Sequence, residues 1–173
     1  LWEFSKRAQE DGLADVFLQN DPANIATALA STEKGKAFLK DFMDFMNEDG
    51  WRMQRMSEIN LPTWVEDPTP ALGNVKQFLS KGGGFNLDEK RQKNAEEREA
   101  AEKEVLAKVP QEQRSWFEQL MHLAQKCGVF SEEHDHYLDL YTHAMMRRSA
   151  LGLGKRWVQK GTIDDHEDMF FLI

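Results

Sequence analysis

The chain has 173 residues, of which 40% are hydrophobic and 30% charged, and this composition is typical of one soluble globular domain. Its formal net charge of −8 argues against binding to nucleic acid or to an anionic membrane, because both require a positively charged surface. The one cysteine, Cys127, excludes an intrachain disulfide and a cysteine-rich zinc site, and it favours a reducing, cytoplasmic location.

Helical spacing of apolar residues recurs along the chain, and no convincing strand pattern accompanies it. Apolar positions between Trp2 and Phe17 predict a first helix, and capping residues mark the helices that follow. The expected starts are Asp21-Pro22, Ser31 or Thr32, Thr69-Pro70, Pro110 and Ser131, and the expected ends are Asp49-Gly50, Gly128 and Gly161. Residues 88–109 predict a charge-rich helix that faces solvent and is laced with i, i+4 pairs.

Three prolines in residues 59–70, INLPTWVEDPTP, exclude a continuous helix there. Trp64 and Val65 favour an ordered connector, because both side chains are costly to leave in water. The sequence therefore predicts an all-α fold, an irregular multi-helix bundle with a Pro-rich connector, in a single domain over residues 1–173. No apolar run reaches the roughly 20 residues that span a bilayer. The start lacks Met and an apolar signal segment, so we expect a fragment or subunit of a larger protein.

Two segments carry a resemblance, GWRMQRMSEINLPTWVEDP at 50–68 and EEHDHYLDLYTHAMMRRSALGLGKRWVQKGTIDDHEDMFFL at 132–172. They resemble the helical region of phosphoenolpyruvate-utilising phosphotransferases of the pyruvate, water dikinase type, a family that includes rifampin phosphotransferase and phenylphosphate synthase. The matching positions are Gly50, Arg52, Glu58, Pro62, Trp64, Glu66, Asp67, Pro68, Glu132, Arg147 or Arg148, Gly154, Arg156, Gly161, Asp168, Phe170 and Leu172. Trp51, Thr63 and Ser131 depart from the usual His, Arg and Arg, which indicates an altered, more apolar acceptor pocket.

The resemblance implies a division of labour between domains. In such enzymes an ATP-grasp domain binds ATP, a swivelling domain carries a phosphohistidine, and a helical domain holds the acceptor in the rifamycin-modifying relatives. This chain has no Gly-rich phosphate loop, since GGGF at 82–85 lacks the Lys-Ser/Thr of a P-loop. We therefore expect no cofactor in this chain, with ATP and Mg bound by a partner domain.

The function that the resemblance implies is acceptor binding within an ATP-dependent, phosphohistidine-using phosphotransferase. The acceptor would be a small hydroxylated molecule, with phenols among the candidates. This chain would be inactive by itself, with the ATP-grasp and swivelling domains as partners in the same or a separate polypeptide. The alternative is a non-catalytic helical scaffold or docking module between those two domains.

The stretch SEEHDHYLDLYTH at 131–143 concentrates histidines and acidic residues. In a regular α-helix Glu132, His136, Asp139 and His143 share one stripe. His136 and His143 would lie roughly 10.5 Å apart along the axis, too far for one metal ion to take both easily, so we expect no metal. The stripe faces either water or a substrate cavity. The opposite side is expected in the core, and it carries Tyr137, Leu138, Tyr141, Ala144 and Met145.

In the cavity interpretation His136 is the expected general base, oriented by Asp139 or Glu132. Arg147 or Arg148 would meet the phosphoryl oxygens, and aromatic and Met side chains would line an adaptable pocket unless they form ordinary core. The expected substrate-binding residues are Trp51, Arg52, Met56, Trp64, His143, Met146 and Arg147. Two structural alternatives remain for polar residues: Arg52 forming a buried ion pair with Glu58 to hold the connector, and His122 lying at the core boundary. Cys127 is expected to be a buried thiol.

Overall fold

A computed structural model describes residues 1–52, 55, 58–82 and 85–172. These residues form eight α-helices, one π-helix and short 3₁₀ segments, with no strand among them, and the predicted all-α fold is confirmed. None of the described helices is long and apolar enough to cross a membrane. The helices are α1 (Trp2–Glu10), α2 (Ala14–Gln19), α3 (Pro22–Leu29), α4 (Glu33–Asp49), α5 (Thr69–Ser80), α6 (Leu87–Lys108), α7 (Arg114–His134) and α8 (Tyr141–Gln159). The π-helix is Asp135–Leu140, and the 3₁₀ segments are Gln111–Gln113 and His166–Phe171.

The described chain divides into two compact units. The first unit comprises Leu1–Ser80 with Asp135–Ile173, and the second comprises Lys81–His134. The single domain that the sequence predicts over residues 1–173 stays a prediction, and the internal contacts group the described residues around two centres.

The core of the first unit is built from the apolar stripes of α1 to α5. In α4, Phe38, Phe42 and Met46 recur every four residues, and all three are fully buried. Aromatic rings pack closely in this core. The Phe38 and Phe42 rings are stacked with centroids 6.3 Å apart, and the Phe17 ring meets the Phe38 ring edge-on with centroids 5.5 Å apart. Phe42 and Met46 therefore belong to the ordinary core. The buried cluster is Ala8, Leu13, Phe17, Ile25, Leu29, Phe38, Phe42, Met46, Ala71, Leu72, Val75 and Leu79.

Several helix boundaries follow the predicted caps. The Thr32 side chain accepts a hydrogen bond from the Gly35 backbone N–H, which satisfies one free donor at the start of α4. Asp21 precedes Pro22 at the start of α3. The first predicted helix is wrong as one element, because Gly12 adopts φ +73° and separates α1 from α2. Only glycine takes that backbone conformation at little cost.

The Pro-rich connector is ordered without being helical. The Val65 N–H donates to the Gly50 carbonyl at 3.2 Å and the Trp64 N–H to the Arg52 carbonyl at 3.3 Å, so the connector is tied to the chain that follows α4. Its end is a cap, in which the Asp67 carboxylate accepts the Thr69 N–H at 3.0 Å. Trp64 packs against the core cluster, as expected from the free-energy cost of exposing its large apolar side chain to water.

The second unit is a helical pair. Asn86 caps α6 by accepting the N–H groups of Asp88 and Glu89, and no residue of α6 is buried, which confirms the solvent-facing, charge-rich helix. Gln125 in α7 donates to Glu102 in α6 at 2.6 Å.

Four expectations for α7 are wrong. Helical hydrogen bonding continues through Gly128 and Ser131 as far as His134, so neither residue marks a boundary. Cys127 and His122 are exposed rather than buried or at a core boundary. The exposure of Cys127 and His122 has one reason: α7 contributes no buried residue, so its apolar positions do not define a core face.

Candidate functional site

The π-helix at Asp135–Leu140 decides which way the predicted polar stripe faces. A π-helix closes its hydrogen bonds at i→i+5, so each turn holds more residues than a turn of α-helix. The side chains that follow therefore point in a different direction from the one that an α-helical repeat predicts. As a result His136, Asp139 and His143 are half-buried, while Tyr137 is 67% exposed. The fourth stripe residue, Glu132, is exposed and belongs to the second unit.

The predicted core side of this segment is therefore wrong in its first half. Tyr137, Leu138 and Tyr141 are exposed, at 67%, 53% and 46%. Ala144 is buried and Met145 is half-buried, as expected. The expected core face is found from Ala144 onward in α8, and it fails in the π-helix and at Tyr141, the first residue of α8.

His136 binds an arginine rather than a carboxylate. Arg52 Nη2 lies 2.8 Å from His136 Nδ1, and the Arg52 guanidinium lies 5.1 Å from the Trp64 ring centroid. Because a guanidinium donates and cannot accept, Nδ1 must be the acceptor, and the proton of the neutral ring sits on Nε2. The predicted Arg52–Glu58 ion pair is wrong for this structure, in which Glu58 lies 3.7 Å from Arg55 instead.

This arrangement bears on the expected general base. The Nδ1 lone pair of His136 is engaged by Arg52, so this nitrogen can serve as a general base only after the Arg52 contact is released. The Asp139 backbone oxygen lies 2.6 Å from His143 Nδ1.

Arg147 is a buried structural centre of the first unit, 2% exposed. Its Nε donates to both Glu66 oxygens at 3.1 and 2.9 Å, and its Nη2 donates to Glu167 at 2.8 Å. Nη1 donates to the Ile59 carbonyl at 3.1 Å, and the Phe170 ring centroid lies 5.2 Å from the guanidinium. One side chain on α8 thereby holds both the connector and the C-terminal 3₁₀ segment.

The charges of this network reinforce each other. Burial raises the pKa of Glu66, but hydrogen bonds from Arg147 and Thr63 outweigh it, so the net pKa is lowered. Burial likewise lowers the pKa of Arg147, and its hydrogen bonds to Glu66 and Glu167 more than reverse that effect. Both groups are therefore held in their charged forms.

A cleft of about 370 Å³ opens beside Trp51. The indole N–H of Trp51 donates to the Asn47 carbonyl at 2.8 Å, which fixes the ring at the end of α4. The guanidinium of Arg148 lies 5.3 Å from the centroid of that ring. The lining residues are Trp51, Glu66, Ala144, Arg148, Leu151, Gly152 and Lys155.

The structure brings only part of the predicted substrate-binding set to this cleft. Trp51 lines it, and so does Arg148, the alternative to Arg147. Arg52 and Trp64 form a separate group with His136, and Met146 is 52% exposed. Met56 lies outside the described residues.

Sequence reasoning missed Gly152 and Lys155 as lining residues. A signal was present, because positions 148, 152 and 155 follow the i, i+4, i+7 spacing of one helix face. The spacing was missed because helix faces are usually recognised from apolar residues, whereas these three positions hold two cations and a glycine.

The fold and the cleft define an all-α domain with a small, open binding site. Residues 1–133 match the family described as the rifampicin phosphotransferase fourth domain. The chain belongs to this family, and the resemblance to phosphoenolpyruvate-utilising phosphotransferases is confirmed.

Two relatives place the domain in larger proteins. The chain is 30% identical over 99% of its length to the uncharacterized phosphotransferase YvkC of Bacillus subtilis (strain 168), and 27% identical over 99% to chondramide synthase cmdD of Chondromyces crocatus. It spans 21% of the first protein and 4% of the second. No solved structure matches the chain.

Proposed function

We propose that this chain is the acceptor-binding domain of an ATP-dependent, phosphohistidine-using phosphotransferase, and that it holds a small hydroxylated molecule in the Trp51 cleft. The observation that carries the proposal is the cleft itself, an aromatic and aliphatic wall beside two cations, in a chain of the rifampicin phosphotransferase fourth-domain family. A planar ring that bears a hydroxyl group fits this mixture of surfaces, because apolar walls bind the ring and a few polar groups orient it. Phenols are therefore the acceptors to test first.

The rest of the reaction belongs to partner domains in this proposal. An ATP-grasp domain would bind ATP and Mg, and a swivelling domain would present the phosphohistidine. In the transfer, the acceptor oxygen forms an O–P bond as the P–N bond breaks, and the hydroxyl proton passes to the released imidazole. Such a transfer needs positioning and charge neutralisation more than covalent help, which a binding domain supplies.

His136 enters the proposal in a restricted role. As general base it would act only after Arg52 releases Nδ1, for instance when a ligand or a partner domain displaces the guanidinium. In the arrangement seen here it instead joins Arg52 to the π-helix, which is a positioning role.

The alternative, a scaffold that touches no substrate, draws support from the Arg147 network. That network uses the arginine expected at the phosphoryl group to hold the connector and the C-terminal segment together. A scaffold requires a network that stabilises its structure in this way, and it requires no cleft for a ligand.

Ligand-observed saturation-transfer NMR separates the two functions. We expect phenol and 1-naphthol to bind the chain with micromolar to millimolar affinity, and Trp51→Leu to weaken binding about tenfold because the ring platform is lost. Trp116→Leu is the matched control, since Trp116 lies in the second unit and is 64% exposed. Absence of binding, or equal loss in both variants, would favour the scaffold.

A further inference from the structure

We infer that the Trp51 cleft is built for the phosphorylated form of the acceptor, with Arg148 and Lys155 holding a phosphate monoester whose aromatic ring lies against the apolar wall. The inference rests on the proposed function and deepens it, because it names the ligand class and the residues that select it. Arg147, the other arginine expected at the phosphoryl group, is excluded from that task by its buried bonds to Glu66 and Glu167.

The two cations of the cleft are not neutralised by neighbours. Among the described residues, Lys155 has no hydrogen-bond or ion-pair partner, and the guanidinium of Arg148 contacts the Trp51 ring. Other exposed cations in the described part of the chain, such as Lys90 and Arg156, also have no ion-pair partner there, so the distinguishing feature is that Arg148 and Lys155 line the same cleft. Two unpaired cations in one cleft are available to an anionic ligand.

The carboxylate in the same cleft does not fully offset them. Glu66 lines the cleft, but its oxygens accept from Arg147 Nε, from the Thr63 N–H at 2.9 Å and from the Thr63 hydroxyl at 2.8 Å. Arg147 also pairs with Glu167, so the three side chains together keep one net negative charge. The two cations of the cleft exceed that charge by one, and the excess positive charge remains for a ligand.

The helix geometry leaves space for a phosphate between the cations. Arg148 and Lys155 are seven residues apart on one face of α8, roughly 10.5 Å along the axis, and their long side chains can converge on one group. Gly152 lies between them on that face, and a Cβ placed there would meet no atom within 4 Å. A glycine in a helix interior costs about 1 kcal/mol relative to alanine, and packing does not require this one.

The chemistry of transfer explains why this charge matters. The acceptor alcohol arrives neutral, and its phosphate monoester carries close to two negative charges at pH above about 6. Arginine meets phosphate oxygens through a planar fork, and lysine acts as a point charge. Both residues therefore favour the phosphorylated ligand over the alcohol, and they favour the charge that develops during transfer.

Calorimetric titration of the chain at pH 8 tests the inference with phenyl phosphate, phenol and inorganic phosphate as probes. We expect phenyl phosphate to bind about tenfold or more tightly than phenol or inorganic phosphate, and added salt to weaken it. Arg148→Gln and Lys155→Gln should each weaken phenyl phosphate binding about three- to tenfold and weaken phenol binding by a clearly smaller factor. Arg156→Gln, an exposed neighbour on α8 outside the cleft, is the matched control and should change neither.

The possible failures are distinguishable. If phenol binds in a Trp51-dependent way but phenyl phosphate binds no tighter, or is unaffected by both substitutions, the inference is overturned and the proposed function stands. If neither probe binds, both are overturned. If inorganic phosphate binds as tightly as phenyl phosphate, the cleft is an anion site without an aromatic half, which contradicts the ligand class inferred here.

Discussion

Arg147 and Arg148 are neighbours in sequence but differ in burial and in the groups that they contact. The first is 2% exposed and bonded to two carboxylates and a carbonyl, and the second is exposed beside Trp51. Helix geometry requires this, because adjacent residues point about 100° apart. From sequence both were candidates for the phosphoryl group, and only their burial in the fold distinguishes them.

Removing the Arg147 side chain should destabilise the first unit. In Arg147→Met the carboxylates of Glu66 and Glu167 lose their partner, but their side chains are 34% and 51% exposed and can be solvated. We therefore expect a loss of roughly 2–3 kcal/mol in the free energy of unfolding, below the range for a fully buried pair. Urea denaturation measures it. Arg156→Met, an exposed control on the same helix, should stay within about 0.5 kcal/mol, and equal effects would contradict the role given to Arg147.

The Glu66 carboxyl should make stability depend on pH. Its pKa is lowered in the folded state, so its contribution is present above the unfolded pKa and is lost as pH falls through the folded pKa. The unfolding free energy should thus decline as the solution is acidified below about pH 4.5, and Glu66→Gln should show a shallower decline. Urea titrations at several pH values test this, and identical slopes for the two proteins would contradict it.

His136 should be found as the Nε2–H tautomer. Arg52 donates to Nδ1, so the ring proton is placed on Nε2. Nitrogen-15 chemical shifts of the imidazole at about pH 8 report the tautomer, and Arg52→Met should relax it toward a mixture. A predominant Nδ1–H form in the unsubstituted chain would show that the Arg52 contact is not made in solution.

At the scale of elements, the π-helix at Asp135–Leu140 is where prediction from sequence failed. The predicted stripe assumed 3.6 residues per turn throughout, and the helix here has a longer repeat. Nothing in DHYLDL signals that change, and the contact of His136 with Arg52, 84 positions away in sequence, is not visible in local propensity either. Capping by Thr32 and the stop at Gly161 were predictable, since each acts through its own backbone and near neighbours.

Two glycines of α8 give a matched pair for testing its packing. A Cβ at Gly154 would collide with the His166 carbonyl, so this glycine permits the C-terminal 3₁₀ segment to lie against the helix. Gly154→Ala should destabilise the chain by roughly 1–3 kcal/mol, as overpacking does. Gly152→Ala meets no atom and should stabilise it by about 0.5–1 kcal/mol. Thermal unfolding compares them, and two changes of the same sign would contradict this packing.

At the scale of the whole molecule, composition and pattern were enough to predict an all-α fold and its connector. They were not enough to predict two compact units or the position of the cleft. Both depend on contacts between residues far apart in sequence, such as Arg147 with Glu66, whose pairing no local pattern specifies. The match over residues 1–133 establishes the family, and the ligand remains to be established by binding.

Binding of the acceptor in the Trp51 cleft can be observed residue by residue in a single titration. Phenol added to nitrogen-15-labelled chain should shift the Trp51 indole N–H and the Gly152 amide signals saturably in two-dimensional NMR, with the Trp51 signal assigned from Trp51→Phe. The Trp116 indole, in the second unit, should not move. Saturable shifts confined to other residues, or none at millimolar phenol, would contradict the account.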